Sequence, residues 1–117
     1  MNSRMKCGKS GEDLASRFLV KNGFTILARN YRFERAEIDI IAEEGEDLVF
    51  IEVKTRRSNA YGTPEEAVTE EKQEQIRSAA EGYLVQHDID DRPCRFDVVA
   101  IELKEGTTEI RHVRDAF

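Results

Sequence analysis

The chain has 117 residues, of which 39% are hydrophobic, and its 24 acidic and 18 basic residues give a formal net charge of −6. This length predicts a single domain over residues 1–117 with one hydrophobic core. No apolar run approaches the ~20 residues of a membrane-spanning helix, and the start lacks the apolar segment of a signal peptide, so we expect a cytoplasmic protein without membrane contact. Two cysteines and two histidines without recognisable spacing argue against a zinc site.

A helix is the first predicted element, after a flexible lead-in over residues 1–9. Ser10 is suited to be its N-cap, which would place Glu12 and Asp13 in the first turn, where the helix dipole favours acidic side chains. Apolar residues at helical spacing follow, and Gly23 is suited to end the helix.

Three strands with short connections are predicted next. The first covers residues 24–30 and leads into an arginine-rich turn, Y-R-F-E-R, which is either a solvated hairpin loop or an edge that steers phosphate. The second and third strands cover residues 37–42 and 48–57 and flank an acidic bend that contains Gly45. Such short connections indicate an antiparallel meander.

Alternation along the second and third strands assigns their side chains to faces. On the second strand, Glu37, Asp39 and Ile41 would project together, and the opposite face would carry Ile38, Ile40 and Ala42. On the third strand, one face begins apolar and then becomes charged: Leu48, Phe50, Glu52, Lys54 and Arg56. This change is typical of a central strand that carries a site at one end.

Metal-assisted phosphodiester hydrolysis is the chemistry that suits these residues. Asp39 and Glu52 offer hard oxygen ligands for Mg²⁺ or Mn²⁺, and the carbonyl of Val53 could supply a third. Lys54 would then orient the nucleophile and offset developing negative charge. Taken alone, an acid-x-Lys triplet is better explained by a salt bridge on a solvated strand face.

A second helix is predicted after a loop. Thr63 to Glu66 forms a capping box with proline at the first helical position, and Thr69 is a second candidate N-cap. Lys72 lies on the otherwise apolar stripe of this helix. Its stem is expected to snorkel along the edge of the core.

Two further strands complete the predicted order. Residues 95–102 are nearly apolar on both faces, which predicts a central strand parallel to the third. Asp97 is expected to be buried there and paired, either with Arg95 or with an arginine near the site. Residues 109–113 predict an edge strand, after which Phe117 is expected to dock its ring on the core.

Asp39 followed on the next strand by Glu52-Val53-Lys54 resembles the PD-(D/E)xK nuclease superfamily, although Ile38 stands where the superfamily's name has proline. The wider pattern resembles the YraN-like family of small bacterial proteins, whose relatives include the archaeal Holliday junction resolvases. Its motifs run from about residue 8 to the C-terminus: Gly11-Glu12, E-I-D-I-I-A at 37–42, F-I-E-V-K-T-R at 50–56, Lys72, and R-F-D-V-V at 95–99.

The resemblance implies an α/β, restriction endonuclease-like three-layer sandwich with a mixed sheet in the order α-β-β-β-α-β, plus a short last strand. It also implies a Mg²⁺- or Mn²⁺-dependent nuclease-like protein acting on DNA, with branched DNA as a candidate substrate. A homodimer is expected for resolvase-type activity, because two strands are cut symmetrically.

Site roles follow from the same resemblance. The implied metal ligands are Asp39, Glu52, Val53 and Glu12. Lys54 would position the nucleophile and Glu37 would assist. The resemblance also implies a phosphate contact for Lys72, as the alternative to packing of its stem, and Arg56 and Arg57 at the end of the third strand are further candidate substrate contacts. Glu12 has an equally supported structural interpretation, as an acid that stabilises its own helix.

A non-catalytic nucleic-acid-binding or scaffold protein that retains the nuclease fold is the alternative. The charge of −6 favours it, because domains that depend on phosphate contacts usually carry a basic excess. Bound divalent cations would offset part of this acidic charge where a substrate approaches. A metabolic enzyme with a carboxylate-bound metal is less favoured, since no small-molecule motif is visible.

Overall fold

The structure is a computed structural model that describes residues 3–57 and 68–117. Its elements in chain order are α1 (Ser3–Lys21), β1 (Thr25–Phe33), β2 (Ala36–Glu44), β3 (Asp47–Arg56), α2 (Glu70–Gln86), β4 (Cys94–Lys104) and β5 (Thr107–Val113). The α/β class and the predicted order of elements are confirmed. No helix within the described residues is long and apolar enough to cross a membrane.

The five strands form one mixed sheet in the order β1-β2-β3-β4-β5. Strands β1, β2 and β3 pair antiparallel, which confirms the predicted meander. β4 pairs parallel to β3, with α2 lying between them in the chain, and β5 pairs antiparallel to β4. The parallel pair of central strands was also predicted from the apolar character of both faces.

The two helices cover opposite faces of the sheet. Ala15 and Leu19 of α1 pack in one apolar cluster with strand residues that include Val49 and Ile51. On the other face, α2 packs in a second cluster with Leu48 and Phe50. Because β3 supplies alternate residues to both clusters, it lies at the centre of three layers.

The start of α1 differs from the prediction. The helix begins at Ser3, so Ser10 lies inside it and is not its N-cap. Glu12 and Asp13 are therefore far from the first turn, and the helix dipole does not explain their presence. No proline in residues 3–9 interrupts the helix, and a residue with capping ability does not by itself start one.

The other predicted helix ends agree better with the structure. Gly23 follows α1 with a φ of 95°, as a residue that ends a helix in the left-handed region does. Thr69 is the N-cap of α2, and its side chain accepts a hydrogen bond from the Lys72 N–H at 3.2 Å. The predicted capping box at Thr63 to Glu66 lies outside the described residues.

Strand β1 is longer than predicted, and the arginine-rich turn is correspondingly shorter. Tyr31, Arg32 and Phe33 belong to the strand, and only Glu34 and Arg35 form the turn to β2. The physical reason is burial, because Tyr31 and Phe33 pack against the cluster beneath α2. The alternation of these aromatic residues with polar ones was a strand signal within the predicted turn.

Asp97 is fully buried in β4 and is fully paired, as predicted. Its carboxylate accepts hydrogen bonds from Arg95 Nε at 3.0 Å and from the Asp115 N–H at 2.9 Å, and its Oδ2 lies 2.7 Å from His112 Nε2. Arg95 also bonds to Glu44 and to Asp47 at 2.9 Å each, and thus ties the β2–β3 hairpin to β4.

The C-terminus docks as predicted. The ring of Phe117 stacks on Phe96 at a centroid distance of 5.3 Å, and the Ala116 N–H donates to the Phe96 carbonyl at 2.6 Å. In the β3–β4 register, Phe96 and Asp97 lie opposite Phe50 and Ile51, directly before the charged end of β3 begins at Glu52.

Candidate active site

The candidate site forms where β2 and β3 separate. The regular pairing of these strands ends at Ile40 with Ile51, and the next residues are Asp39 and Glu52. Asp39 Oδ2 accepts a hydrogen bond from the Val53 N–H at 2.8 Å. A side chain thus continues the connection between the strands and fixes the position of the Asp39 carboxylate.

The alternation of β2 is interrupted at the same point. Ile38 packs in the cluster beneath α2, whereas Ile40 packs in the cluster beneath α1, so the prediction that these two residues share a face is wrong. The backbone is irregular at this point. Asp39 and Asn30 are missing from the regular β1–β2 pairs, and Asn30 has a φ of 55°. Asp39 can therefore contact groups that arrive from both faces of the sheet.

Three carboxylates meet around Asp39. Glu12 from α1 and Glu37 from β2 each bring an oxygen close to it, and all three oxygens lie within 4.8 Å of one another. Burial, then the charge of Asp39, raises the pKa of Glu12, and bonds from Asn30 and Arg29 offset part of the rise. We refer to Glu12, Glu37 and Asp39 as the acidic cluster.

A close approach of α1 to β3 places Glu12 at this position. A Cβ atom at Gly11 would lie 2.6 Å from Thr55 Oγ1, so a larger residue there would require the Thr55 side chain or the helix to move. The Gly11-Glu12 pair therefore combines a helix contact with a carboxylate directed to the end of the strands.

Glu52 approaches Asp39 from the other side. Only 6% of the residue is exposed, and Oε2 accepts no hydrogen bond from any group in residues 3–57 and 68–117. Burial, a hydrogen bond with Asp39 and the Asp39 charge raise the pKa of Glu52 from 4.5 to about 8. A buried carboxylate with an unsatisfied oxygen beside a second carboxylate requires a proton or a cation.

Two lysines supply positive charge next to Glu52. Lys72 of α2 places Nζ 4.0 Å from Glu52 Oε2, and the charges of Lys72 and Lys54 both counteract the rise in the pKa of Glu52. The structure thus places the Lys72 ammonium group beside the Glu52 carboxylate, in addition to any packing of its stem along the edge of the core. Whether it contacts phosphate stays a prediction.

Arg56 and Arg57 lie beyond this centre, at the end of β3. Together with Gly11, Leu14 and Ile101 they help to line a cavity of about 310 Å³ beside α1. The structure therefore places these two predicted substrate contacts at a cavity next to the helix. Their roles stay predictions.

The predicted carboxylate ligands occur in two groups that share Asp39. Glu12 joins it in the acidic cluster, and the buried Glu52 pairs with it from the other side. Glu37, to which the resemblance gives only an assisting role, also brings an oxygen within 4.8 Å of Asp39 and of Glu12.

The sequence did not predict that two arginines of β1 pair with the acidic cluster, and it gave only Arg32 a candidate role, as part of an edge that steers phosphate. The guanidinium of Arg29 lies 3.5 Å from Glu12 Oε1, and that of Arg32 lies 3.3 Å from Glu37 Oε2. The density of arginines between residues 29 and 35 was the available signal, but spacing alone did not identify their partners.

The raised pKa of the buried Glu52 carboxyl predicts that the free energy of unfolding, measured with metal removed by a chelator, depends on pH. The folded-state pKa of Glu52 is above its unfolded value, so the folded state holds an extra proton between about pH 4.5 and 8. Stability should therefore fall as pH rises through this window, by at most about 1.4 kcal/mol per pH unit. Glu52→Gln should lose this decline and should be more stable than the wild type at pH 8.

Urea denaturation in EDTA at pH 5 and pH 8 measures this difference. Glu81→Gln, an exposed glutamate of α2, is the matched control and should follow the wild type. Equal effects of Glu52→Gln at both pH values would contradict the prediction.

Comparisons with known proteins identify relatives over the full length of the chain. Residues 11–101 match the model of a family described as "Uncharacterised protein family UPF0102". A UPF0102 protein of Chlorobaculum tepidum is 49% identical, with 100% of this chain and 95% of the relative covered. One from Rhodococcus opacus is 49% identical with 100% of both covered, and one from Symbiobacterium thermophilum is 47% identical with 96% of both covered.

Proposed function

Because this chain belongs to the UPF0102 family, whose description names no activity, we propose a function from the site itself: metal-dependent hydrolysis of DNA phosphodiester bonds by a nuclease-like protein. The family match confirms the YraN-like resemblance. Membership of the PD-(D/E)xK superfamily and a restriction endonuclease-like fold are parts of the proposal. The observation that carries it is the unsatisfied Oε2 of Glu52 beside Asp39.

The residues present fit a hard divalent cation. Asp39, Glu52 and Glu12 would hold Mg²⁺ or Mn²⁺, with the Val53 carbonyl and Glu37 as further oxygen donors. Carboxylate and carbonyl oxygens are the ligands that these ions prefer, and a positive ion would relieve the repulsion between the carboxylates. When bound, the ion would supply Lewis-acid activation of the phosphoryl group.

The chain's own residues would orient and stabilise the reacting groups. The bond from the Val53 N–H holds the Asp39 carboxylate in place before substrate arrives, which lowers the cost of reorganisation during the reaction. Lys54 would orient the attacking water and stabilise negative charge that develops on the phosphate. Lys72, already 4.0 Å from Glu52, would add a second positive charge on the same side.

The architecture supports the superfamily assignment. A mixed five-stranded sheet lies between α1 and α2, and the carboxylates lie on a central strand and its antiparallel neighbour. This is the arrangement that the resemblance implies for Asp39 and Glu52-Val53-Lys54. A homodimer belongs to the proposal, because symmetric cutting of two strands needs two copies of the site.

A non-catalytic nucleic-acid-binding or scaffold role is the second candidate. It is favoured by the net charge of −6 and by the engagement of Arg29 and Arg32 with carboxylates. In this case the fold would be retained while the site would no longer turn over substrate.

Incubation of the protein with Mn²⁺ and labelled four-way-junction, flap and linear DNA separates the two candidates. We expect cleavage of at least one DNA form in Mn²⁺ and none in EDTA. Binding of these DNAs without any cleavage would support the non-catalytic role and would contradict the nuclease. Glu52→Gln protein, purified in the same way, controls for contaminating nucleases.

A further inference from the structure

Arg29 lies between a carboxylate of the acidic cluster and one outside it. Its guanidinium contacts Glu12 Oε1 at 3.5 Å and Asp13 Oδ1 at 2.8 Å. Asp13 does not belong to the acidic cluster. The shorter contact therefore anchors Arg29 to α1, and the longer one places a positive charge beside the cluster.

The backbone of β1 directs Arg29 to this position. A register shift between Ile26 and Ala28 precedes it, and Asn30, with a φ of 55°, follows it. Arg29 pairs with Ile40, the neighbour of Asp39 in β2. The irregular stretch thus fixes Arg29 next to the carboxylates, and its side chain is still 32% exposed and accessible to a ligand.

A guanidinium and a divalent cation would compete for the carboxylate of Glu12. Without metal, Arg29 reduces the repulsion among the three carboxylates of the acidic cluster. A bound cation would take over this neutralisation and would repel the guanidinium. Asp13 would keep Arg29 in place, because the Asp13 carboxylate is not part of the acidic cluster that would bind the cation.

We propose that Arg29 exchanges partners when the site is loaded, leaving Glu12 and binding a backbone phosphate of the nucleic acid while it remains anchored to Asp13. This inference rests on the proposed function. Arginine suits the exchange, because its planar guanidinium presents several N–H donors and binds carboxylate and phosphate in similar geometry. The exchange lets an acidic protein bind phosphate at its carboxylates only when a cation is present.

Two measurements on Arg29→Ala test the exchange. The first is Mn²⁺ affinity without DNA, from titration by electron paramagnetic resonance. The second is affinity for a fluorescein-labelled four-way junction, measured by anisotropy with Ca²⁺ and with EDTA, the DNA being checked on a gel for integrity. Arg92→Ala is the matched control, because Arg92 pairs with Glu43 of β2 at 2.6 Å, away from the acidic cluster.

The exchange predicts opposite changes in the two affinities. Arg29→Ala should bind Mn²⁺ about threefold or more tightly, because a competing positive charge is gone, and should bind DNA about fivefold more weakly in Ca²⁺ but not in EDTA. Arg92→Ala should change neither affinity. Unchanged or weaker Mn²⁺ binding by Arg29→Ala would overturn the exchange, as would an equal loss of DNA affinity with and without Ca²⁺.

The test also distinguishes the exchange from the proposed function. Wild-type protein that binds Mn²⁺ and cleaves DNA, together with an Arg29→Ala variant that behaves like the wild type, would overturn the exchange alone. Wild-type protein that binds no Mn²⁺ would overturn the metal centre and the exchange together.

Discussion

Lys54→Ala should lower the rate of DNA cleavage by about 100- to 1,000-fold, the usual effect of removing one preorganised stabilising group from an active site. Lys54 follows Glu52 on the same face of β3, and its charge acts on the Glu52 carboxyl. Its loss would leave the attacking water less well oriented and the phosphate charge less well stabilised. Single-turnover cleavage in saturating Mn²⁺ measures the effect on the chemical step.

Lys21→Ala, a change at the exposed C-terminal end of α1, serves as the matched control and should cleave at the wild-type rate. Mn²⁺ affinity should not fall in Lys54→Ala, since a lysine is not a metal ligand and the loss of its positive charge beside Glu52 favours a bound cation. A Lys54→Ala rate within about threefold of the wild type would contradict the assigned role.

Asp97→Ala should destabilise the fold by about 3 kcal/mol, the lower end of the range for breaking a buried ion pair. The substitution would remove the partner of Arg95 and His112 and would leave a cavity at a fully buried position. Arg95 would keep its bonds to Glu44 and Asp47, which limits the loss. Urea denaturation at pH 7 followed by circular dichroism measures the change.

The destabilisation caused by Asp97→Ala should depend on pH. Burial alone would raise the pKa of Asp97, but hydrogen bonds from His112, Arg95 and the Asp115 N–H outweigh it and lower the pKa. A carboxylate with a lowered folded-state pKa contributes stability above its unfolded pKa, and this contribution is lost as pH falls through the folded value. The difference between wild type and Asp97→Ala should therefore shrink below about pH 4.

Asp91→Ala, an exposed change before β4, should leave stability within about 0.5 kcal/mol of the wild type. Asp97→Asn keeps the size of the side chain and separates the loss of charge from the loss of packing. A stability of Asp97→Ala equal to that of Asp91→Ala would show that the buried network does not hold the hairpin to β4.

The central position of β3 was predictable from its residues. Leu48 to Ile51 are apolar on both faces, and only a strand covered by helices on both sides accommodates that pattern. The change to Glu52 and Lys54 then identified the end of the strand that carries the site. Both conclusions need only the two-residue period of a strand.

The position of Asp39 was less predictable, because it depends on an irregular backbone. Regular alternation would put Ile38 and Ile40 on one face, but the strands separate at Asp39, and its side chain bonds to the Val53 N–H. This bond joins residues 14 positions apart, and nothing in the local sequence around either residue specifies it.

Long-range contacts also explain why the sequence did not predict the pairing of Arg29 with the acidic cluster. Glu12, Glu37 and Arg29 lie on three different elements, and their contacts depend on how α1 packs over the sheet. The start of α1 at Ser3 was missed for a different reason, since Ser10 has the chemistry of a cap but lies within a longer helix. A capping residue permits a helix start without requiring one.

The most direct test of the proposed metal centre is a crystal structure of the protein soaked in Mn²⁺, with anomalous diffraction used to locate the ion. We expect an anomalous peak within coordination distance of both Asp39 and Glu52, about 2.2 Å from their oxygens, and no such peak in crystals of Asp39→Asn. Ordered density for both carboxylates with no anomalous peak between them, at Mn²⁺ concentrations in the millimolar range, would contradict the proposal.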